Sequence, residues 1–194
     1  IADYRKDGYL PEALVNFMAF LGWNPGTERE IFALPSLVKE FSLQNVQKSG
    51  AIFNIKRLDY LNGFYIRQKS VKKLAELCQS YLPKSDPEYL EKIVAIYQER
   101  LKKLSEIKEL ADFFFQDKLE YNKEFLKWKE MTDKEISQSL NKSENILSKI
   151  KEENWTKENL EKVLIPEAEA IGDRGHLLWP LRVALTGQKA SAGP

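Results

Sequence analysis

The sequence predicts an all-α protein. Three observations carry that expectation. Apolar residues recur at three- and four-residue intervals in successive segments, strict strand-like alternation is absent, and Ser, Thr, Asn or Asp stands ahead of several of the periodic runs. The first clear element opens at Gly8-Tyr9-Leu10-Pro11, where proline suits a first helical turn, and carries Leu14, Val15, Phe17, Met18 and Leu21. Gly22 to Gly26, GWNPG, stops it. Leu37, Val38 and Phe41 mark a short helical piece, and Ser42 is placed to cap another over LQNVQKS, ended by Gly50. Residues 51–54 read as an extended connector. Asn54 precedes IKRLDYLNG, a two-turn helix with Ile55, Leu58 and Leu61 on one face.

Ser70 caps VKKLAELCQSYL, whose inward face is Val71, Leu74, Leu77, Cys78 and Tyr81. After a turn over 83–87, Asp86 and Pro87 form an N-cap and first-turn pair for a helix bearing Leu90, Ile93, Val94, Tyr97 and Leu101. Ser105 is placed to cap EIKELADFFF, and Phe125 with Trp128 makes an aromatic patch. Thr132 starts an amphipathic stretch with Ile136, Leu140, Ile146, Leu147 and Ile150. Thr156 caps the next, with Leu160, Val163, Leu164 and Ile165, and Pro166 predicts a kink or break within it. The apolar run Leu177-Leu178-Trp179 meets Pro180, and a short helix over 181–185 stops at Thr186-Gly187. The ending is basic and is expected to be weakly structured. Two helical units are expected to meet near 68–71.

The 194 residues suffice for one large or two small domains, and 43% hydrophobic with 30% charged residues fits a globular chain. Net charge is +1, so any nucleic-acid site must come from local clustering of Lys and Arg. The single cysteine, Cys78, allows no intrachain disulfide and reads as a buried small hydrophobe. One Cys and one His argue against a zinc site. No apolar run reaches the ~18 residues of a membrane span. No secretory leader is seen, and the start at Ile1 in mid-pattern reads as that of a piece cut from a larger protein.

Catalytic chemistry is not visible. His176, the only histidine, has no Ser/Asp companions suggested by spacing and reads as a packed or surface residue. No phosphate loop of the GxxxxGK[ST] or GxGxxG kind occurs, and Glu106, Glu109, Asp112, Glu120 and Glu124 alternate with lysines as on a solvated face. The basic candidates for RNA contact are Arg100, Lys102 and Lys103, then Arg174, Arg182 and Lys189. By pattern alone each reads more readily as a solvated surface charge than as an RNA contact. Single-stranded RNA is read by stacking on aromatic or guanidinium planes and by bonding base edges.

Three stretches resemble the C-terminal half of bacterial-type glutamyl-tRNA synthetases. GYLPEALVNFMAFLGWNPG (8–26) with REIFALPSLVKEFSLQNVQKSGAIFNIKRLDYLNGFYIR (29–67) resembles the family's helical stem-contact domain. YQERLKKLSEIKELADFFF (97–115) resembles the first anticodon-binding layer, and LLWPLRVALTGQKASAGP (177–194) the C-terminal one. The resemblance implies a stem-contact domain over 1–69 and an α-helical anticodon-binding domain over 70–194, truncated at its C-terminus. It implies a parent ligase of class I that attaches glutamate to its tRNA with ATP and Mg. It also implies a glutamate-accepting tRNA as partner, no membrane association, a cytoplasmic location and a monomeric state. Arg100 falls on an arginine that reads an anticodon base in the family, and Arg182 on another anticodon-layer arginine. Ser191, Gly193 and Pro194 fall on the loop that meets the anticodon, with Ala192 where the family can carry proline. Asn54 stands for a common aspartate and is given no role. The family's ATP signatures are missing: a His-x-Gly-His motif cannot exist with one histidine, and Lys69-Ser70-Val71-Lys72-Lys73 only echoes the Lys-Met-Ser-Lys-Ser loop. The chain itself is therefore expected to be non-catalytic and to hold no cofactor. The alternative is a helical protein-interaction module, which an exposed Phe113–Phe115 or Trp128 patch would favour.

Overall fold

The structure, a computed structural model, describes residues 1–48 and 50–191. It is all-α, and among the described residues the only β pairing is an isolated antiparallel bridge between Trp23 and Val46. Two compact units divide the chain, Ile1–Asp112 and Phe113–Pro194.

The first unit begins with α1 (Ala2–Lys6) and α2 (Pro11–Ala19), the latter with Pro11 in its first turn as expected. Beyond the GWNPG stop come α3 (Leu34–Glu40) and α4 (Ile55–Arg67). Ser42 caps nothing. Its side chain accepts no backbone N–H, and the helix expected over LQNVQKS is a single 3-10 turn, Leu43–Asn45, because Val46 pairs with Trp23 instead. Asn54 is the cap of α4, its Oδ1 accepting from Lys56 N at 3.0 Å and Arg57 N at 3.3 Å. This helix runs well past the expected two turns, straight through Gly63. A Cβ at Gly63 would sit 3.2 Å from the Leu101 carbonyl oxygen, so glycine serves a close backbone approach there rather than a stop.

Next come α5 (Val71–Cys78), capped by Ser70, and α6 (Pro87–Tyr97), capped by Asp86. Ser105 does not act as a cap, because its hydroxyl donates to the Asp7 carbonyl at 2.7 Å. The single helix expected after it is broken into a 3-10 turn (Leu104–Glu106), α7 (Ile107–Leu110) and another 3-10 turn (Asp112–Phe115). The Glu106 carboxylate closes the first of these turns, accepting from Lys102 N at 2.8 Å and Lys103 N at 3.2 Å. α2 packs on α4 and α5 on α6. The core of this unit includes a cluster of Tyr9, Phe17, Leu58 and Leu61 and another of Trp23, Phe32 and Leu37, and buried residues of α5 and α6 such as Leu74, Ile93 and Val94. Cys78 is fully buried, and burial pushes its thiol up to about 12.

The second unit holds a 3-10 turn (Lys123–Leu126), α8 (Asp133–Leu147), α9 (Lys157–Ala170) and α10 (Gly175–Thr186), which packs on each of them. Thr132 and Glu135 form a capping box on α8, and Thr156 caps α9. Pro166 does not break α9, since the carbonyl it strands, that of Lys162, lies on an exposed residue. α10 starts six residues before the stretch expected and contains Pro180. Proline lacks the N–H that would reach the His176 carbonyl, and the Ser139 hydroxyl from α8 donates to that oxygen at 2.7 Å instead. Gly187, at φ +69°, closes α10, its N–H donating to the Val183 carbonyl at 2.7 Å. The ending expected to be weakly structured is thus helical as far as Thr186. Leu126, Met131, Ile136 and Val183 form one cluster of this unit's core, and Leu164, Ala168, Leu177 and Leu181 are buried as well.

Candidate nucleic-acid interface

Arg182 and Ser191 lie in the second unit, on and after α10. Arg182 is half-buried, because Leu181 and Val183 on either side face the core. Its guanidinium lies 5.9 Å from the centre of the Trp179 ring, one turn back on the same helix. Its Nε is buried with no hydrogen-bond partner among the described residues. Ser191 is buried, 6% exposed. Gly193 and Pro194, the other expected members of this loop, lie outside the described residues, as does Ala192.

Around Arg182 the second unit carries cations set against aromatic rings. Trp179 and Trp128 pack at 5.1 Å between centres, and Trp179 Nε1 donates to the Phe125 carbonyl at 2.8 Å. Lys189 Nζ lies 4.6 Å from the Phe125 ring centre, and Lys129 Nζ 5.4 Å from that of Trp128. Lys129 also pairs with Asp173 at 2.6 Å, and Trp128 Nε1 donates to the same carboxylate at 3.1 Å. These two donors, with the Gly175 N–H, hold the Asp173 carboxyl well below the usual carboxylate range. Gly175 is required here: a Cβ would lie 2.1 Å from Trp128 Cε2. Arg174, a basic candidate from the sequence, is tied to Glu169 in an ion pair.

Arg100 belongs to the first unit and is exposed, three residues beyond the end of α6. Its N–H donates to the Tyr97 carbonyl at 2.8 Å, and Tyr97 and Leu101 on either side are fully buried. The arginine is thus carried on a short segment fixed by core residues at both ends. Arginine there offers a permanent charge, a stacking plane and paired donors, which suit a phosphate or a base edge.

Sequence reasoning missed Asn62, which is fully buried in α4 and bonds to three backbone groups, those of Gly8, Leu10 and Lys102. The signal was a polar residue on the apolar stripe of Leu58, Leu61 and Ile66. Lys129 was also missed, since it stands in no periodic pattern.

Cys78 is buried as a thiol, and among the described residues no group of three or more His, Cys, Asp or Glu could hold a metal ion. The aromatic residues that would have marked a protein-docking patch are half-buried. Phe113 and Phe114 stack on each other at 4.2 Å, and Trp128 packs on Trp179, so the protein-interaction alternative is not favoured.

Comparison with known proteins places these residues in context. Residues 1–60 match the family described as "tRNA synthetases class I (E and Q), catalytic domain". The chain is 38% identical over 197 residues to a glutamate–tRNA ligase of Clostridium botulinum, covering 98% of this chain and 40% of that protein. It is 39% identical to the ligase of Clostridium kluyveri over the same shares. It therefore spans about two fifths of the length of the curated relatives it matches. Among solved structures, a glutamate tRNA ligase from Elizabethkingia meningosepticum in complex with its amino acid superposes with a TM-score of 0.81 at 27% identity, over 98% of this chain and 38% of that one. The glutamate-tRNA synthetase of Elizabethkingia anophelis gives 0.77 at 27% identity, over 98% and 37%. Residues 73–194, the span that contains Arg100, Arg182 and Ser191, match the model of the anticodon binding domain, and the chain belongs to that family.

Proposed function

We propose that this chain is the tRNA-binding part of a class I glutamate–tRNA ligase, with residues 70–194 recognising the anticodon and residues 1–69 lying on the tRNA stem. The observation that carries the reading is the family match over 73–194, with both candidate arginines inside it. The two RNA-contacting portions are not the two compact units, since their boundary falls between α4 and α5, inside the first unit. Lysines near the backbone supply phosphate contacts that position the RNA. Arg100, Arg182 and the loop at Ser191, Gly193 and Pro194 read bases. Arg182 suits that work because its guanidinium lies near the Trp179 ring, 5.9 Å from its centre. The parent attaches glutamate to a glutamate-accepting tRNA using ATP and Mg, in the cytoplasm and as a monomer. The described residues present no donor set that fits Mg and no phosphate loop, so no step through ATP is placed on this chain. Among the described residues no helix is long and apolar enough to cross a membrane.

Equilibrium binding to a glutamate tRNA transcript, beside the same transcript with its anticodon replaced, tests the reading at fixed salt. Tighter binding to the native anticodon is expected, with affinity falling as salt rises. Arg100→Ala should cost about 1–3 kcal/mol of discrimination at one anticodon position. An equal loss of affinity for matched and replaced anticodons would remove the base-reading role.

A further inference from the structure

The segment that carries Arg100 is fastened to α4 on both sides. Ahead of the arginine, Gln98 Nε2 donates to the Lys69 carbonyl at 2.8 Å and to those of Ile66 and Arg67 at 3.3 and 3.4 Å, where α4 ends. Behind it, Asn62 Nδ2 donates to the Lys102 carbonyl at 2.6 Å. The same nitrogen donates to the Gly8 carbonyl at 3.2 Å, while Asn62 Oδ1 accepts from Leu10 N at 2.8 Å. The Gly8 carbonyl accepts in turn from Leu104 N at 3.1 Å. Both glycines at this junction leave room for the segment. A Cβ on Gly8, at φ +87°, would come within 2.6 Å of Leu104 N, and one on Gly63 within 3.2 Å of the Leu101 oxygen.

A buried amide is costly unless its donors and acceptor are engaged, and when all are engaged it fixes the groups it bonds in one arrangement. A core helix needing only apolar contact would place leucine at this position, as α4 does at Leu58 and Leu61. What the amide holds is the backbone two residues after an exposed arginine. We propose that Asn62 is a positioning residue for RNA recognition: with Gln98 it clamps residues 98–104 onto α4 and so fixes the direction from which the Arg100 guanidinium meets the RNA. This rests on the base-reading role of Arg100 put forward above. The requirement is geometric, since a bidentate contact tolerates little movement of the backbone that carries it.

Asn62→Asp keeps the acceptor for Leu10 N and removes both donations, and Gln98→Ala releases the other anchor at a half-buried site. The complete 194-residue chain is titrated with the native and anticodon-replaced transcripts, and amide hydrogen exchange is measured without RNA. In both variants the preference for the native anticodon should fall about fivefold or more, as in Arg100→Ala, and adding Arg100→Ala should lower it no further. Exchange should quicken at residues 101–104 while amides in the middle of α5 and α6 keep their rates. Retained preference in a folded variant overturns the proposal, as does exchange that quickens evenly through the first unit. If the unsubstituted chain shows no anticodon preference, the reading role of Arg100 fails by itself. The exchange pattern then decides the clamp, local quickening upholding it and even quickening overturning it.

Discussion

Pro180 and Ser139 should be energetically coupled. Proline at the sixth position of α10 deprives the His176 carbonyl of its helical donor, and the Ser139 hydroxyl, 2.7 Å away on α8, takes that place. Ser139 is 8% exposed, so water replaces the hydroxyl poorly. Removing it by Ser139→Ala should cost about 1–2 kcal/mol, the net value of the bond plus part of the penalty for a stranded carbonyl. Pro180→Ala supplies the missing N–H. It gains about 3 kcal/mol of helix propensity against about 1.6 kcal/mol for two buried ring methylenes. In that background the hydroxyl is a second donor to an oxygen already served, and its loss should cost about 1 kcal/mol less. The assay is a four-variant cycle by urea unfolding, followed by the fluorescence of Trp128 and Trp179 with the other tryptophans replaced. A coupling of about 1 kcal/mol moves the midpoint by about 0.5 M at a slope of about 2 kcal/mol/M. Equal cost for Ser139→Ala in both backgrounds would refute the idea that the hydroxyl compensates for the proline.

Three other outcomes are expected. Gly175→Ala should displace Trp128, because the added methyl falls 2.1 Å from its ring, destabilising the second unit by about 1–3 kcal/mol and shifting its fluorescence; an unshifted spectrum at unchanged stability would contradict the contact. Asp173, whose folded pKa is depressed, contributes stability that is present above the unfolded value of about 3.9 and is lost as the pH falls through the lower folded value. Acid titration of the Asp173→Asn variant should therefore show a flatter loss of stability below about pH 4 than the parent chain. Cys78, raised to about 12 and fully buried, should resist alkylation at pH 8 in the native state and react once urea unfolds the first unit; rapid native-state labelling would show the site to be open.

The sequence carried the helical class and most helix starts, because N-caps act within four residues and period 3.6 is a local signal. Asp86, Thr132 and Thr156 cap the helices that follow them. Failures arose where a distant partner decided the matter. Ser105 looks like a cap until Asp7 claims its hydroxyl, and Ser42 until Trp23 takes Val46 as a bridge partner. Pro180 and Gly63 look like breakers until Ser139 and the Leu101 backbone are placed beside them. At the candidate interface, basic residues were visible by type, and the resemblance selected among them. Their surroundings, Trp179 near Arg182 and Asn62 behind Arg100, depend on residues brought together by folding, and of these only the adjacent turn of α10 could be seen in the sequence.

The first unit closes by joining its beginning to its end. Residues 7–10 are bound through Asp7, Gly8 and Leu10 to partners at 62, 104 and 105, up to 98 positions away. A chain emerging from the ribosome therefore holds Asp7 and Gly8 without their partners at 104 and 105 until residue 105 has followed. Contacts of such separation are formed late and slowly, because the loop must close before the bonds can repay its entropy. The corner at Asp7 and Gly8 lacks these bonds for that interval, which makes it the weak point of any shortened chain that ends between α4 and residue 105.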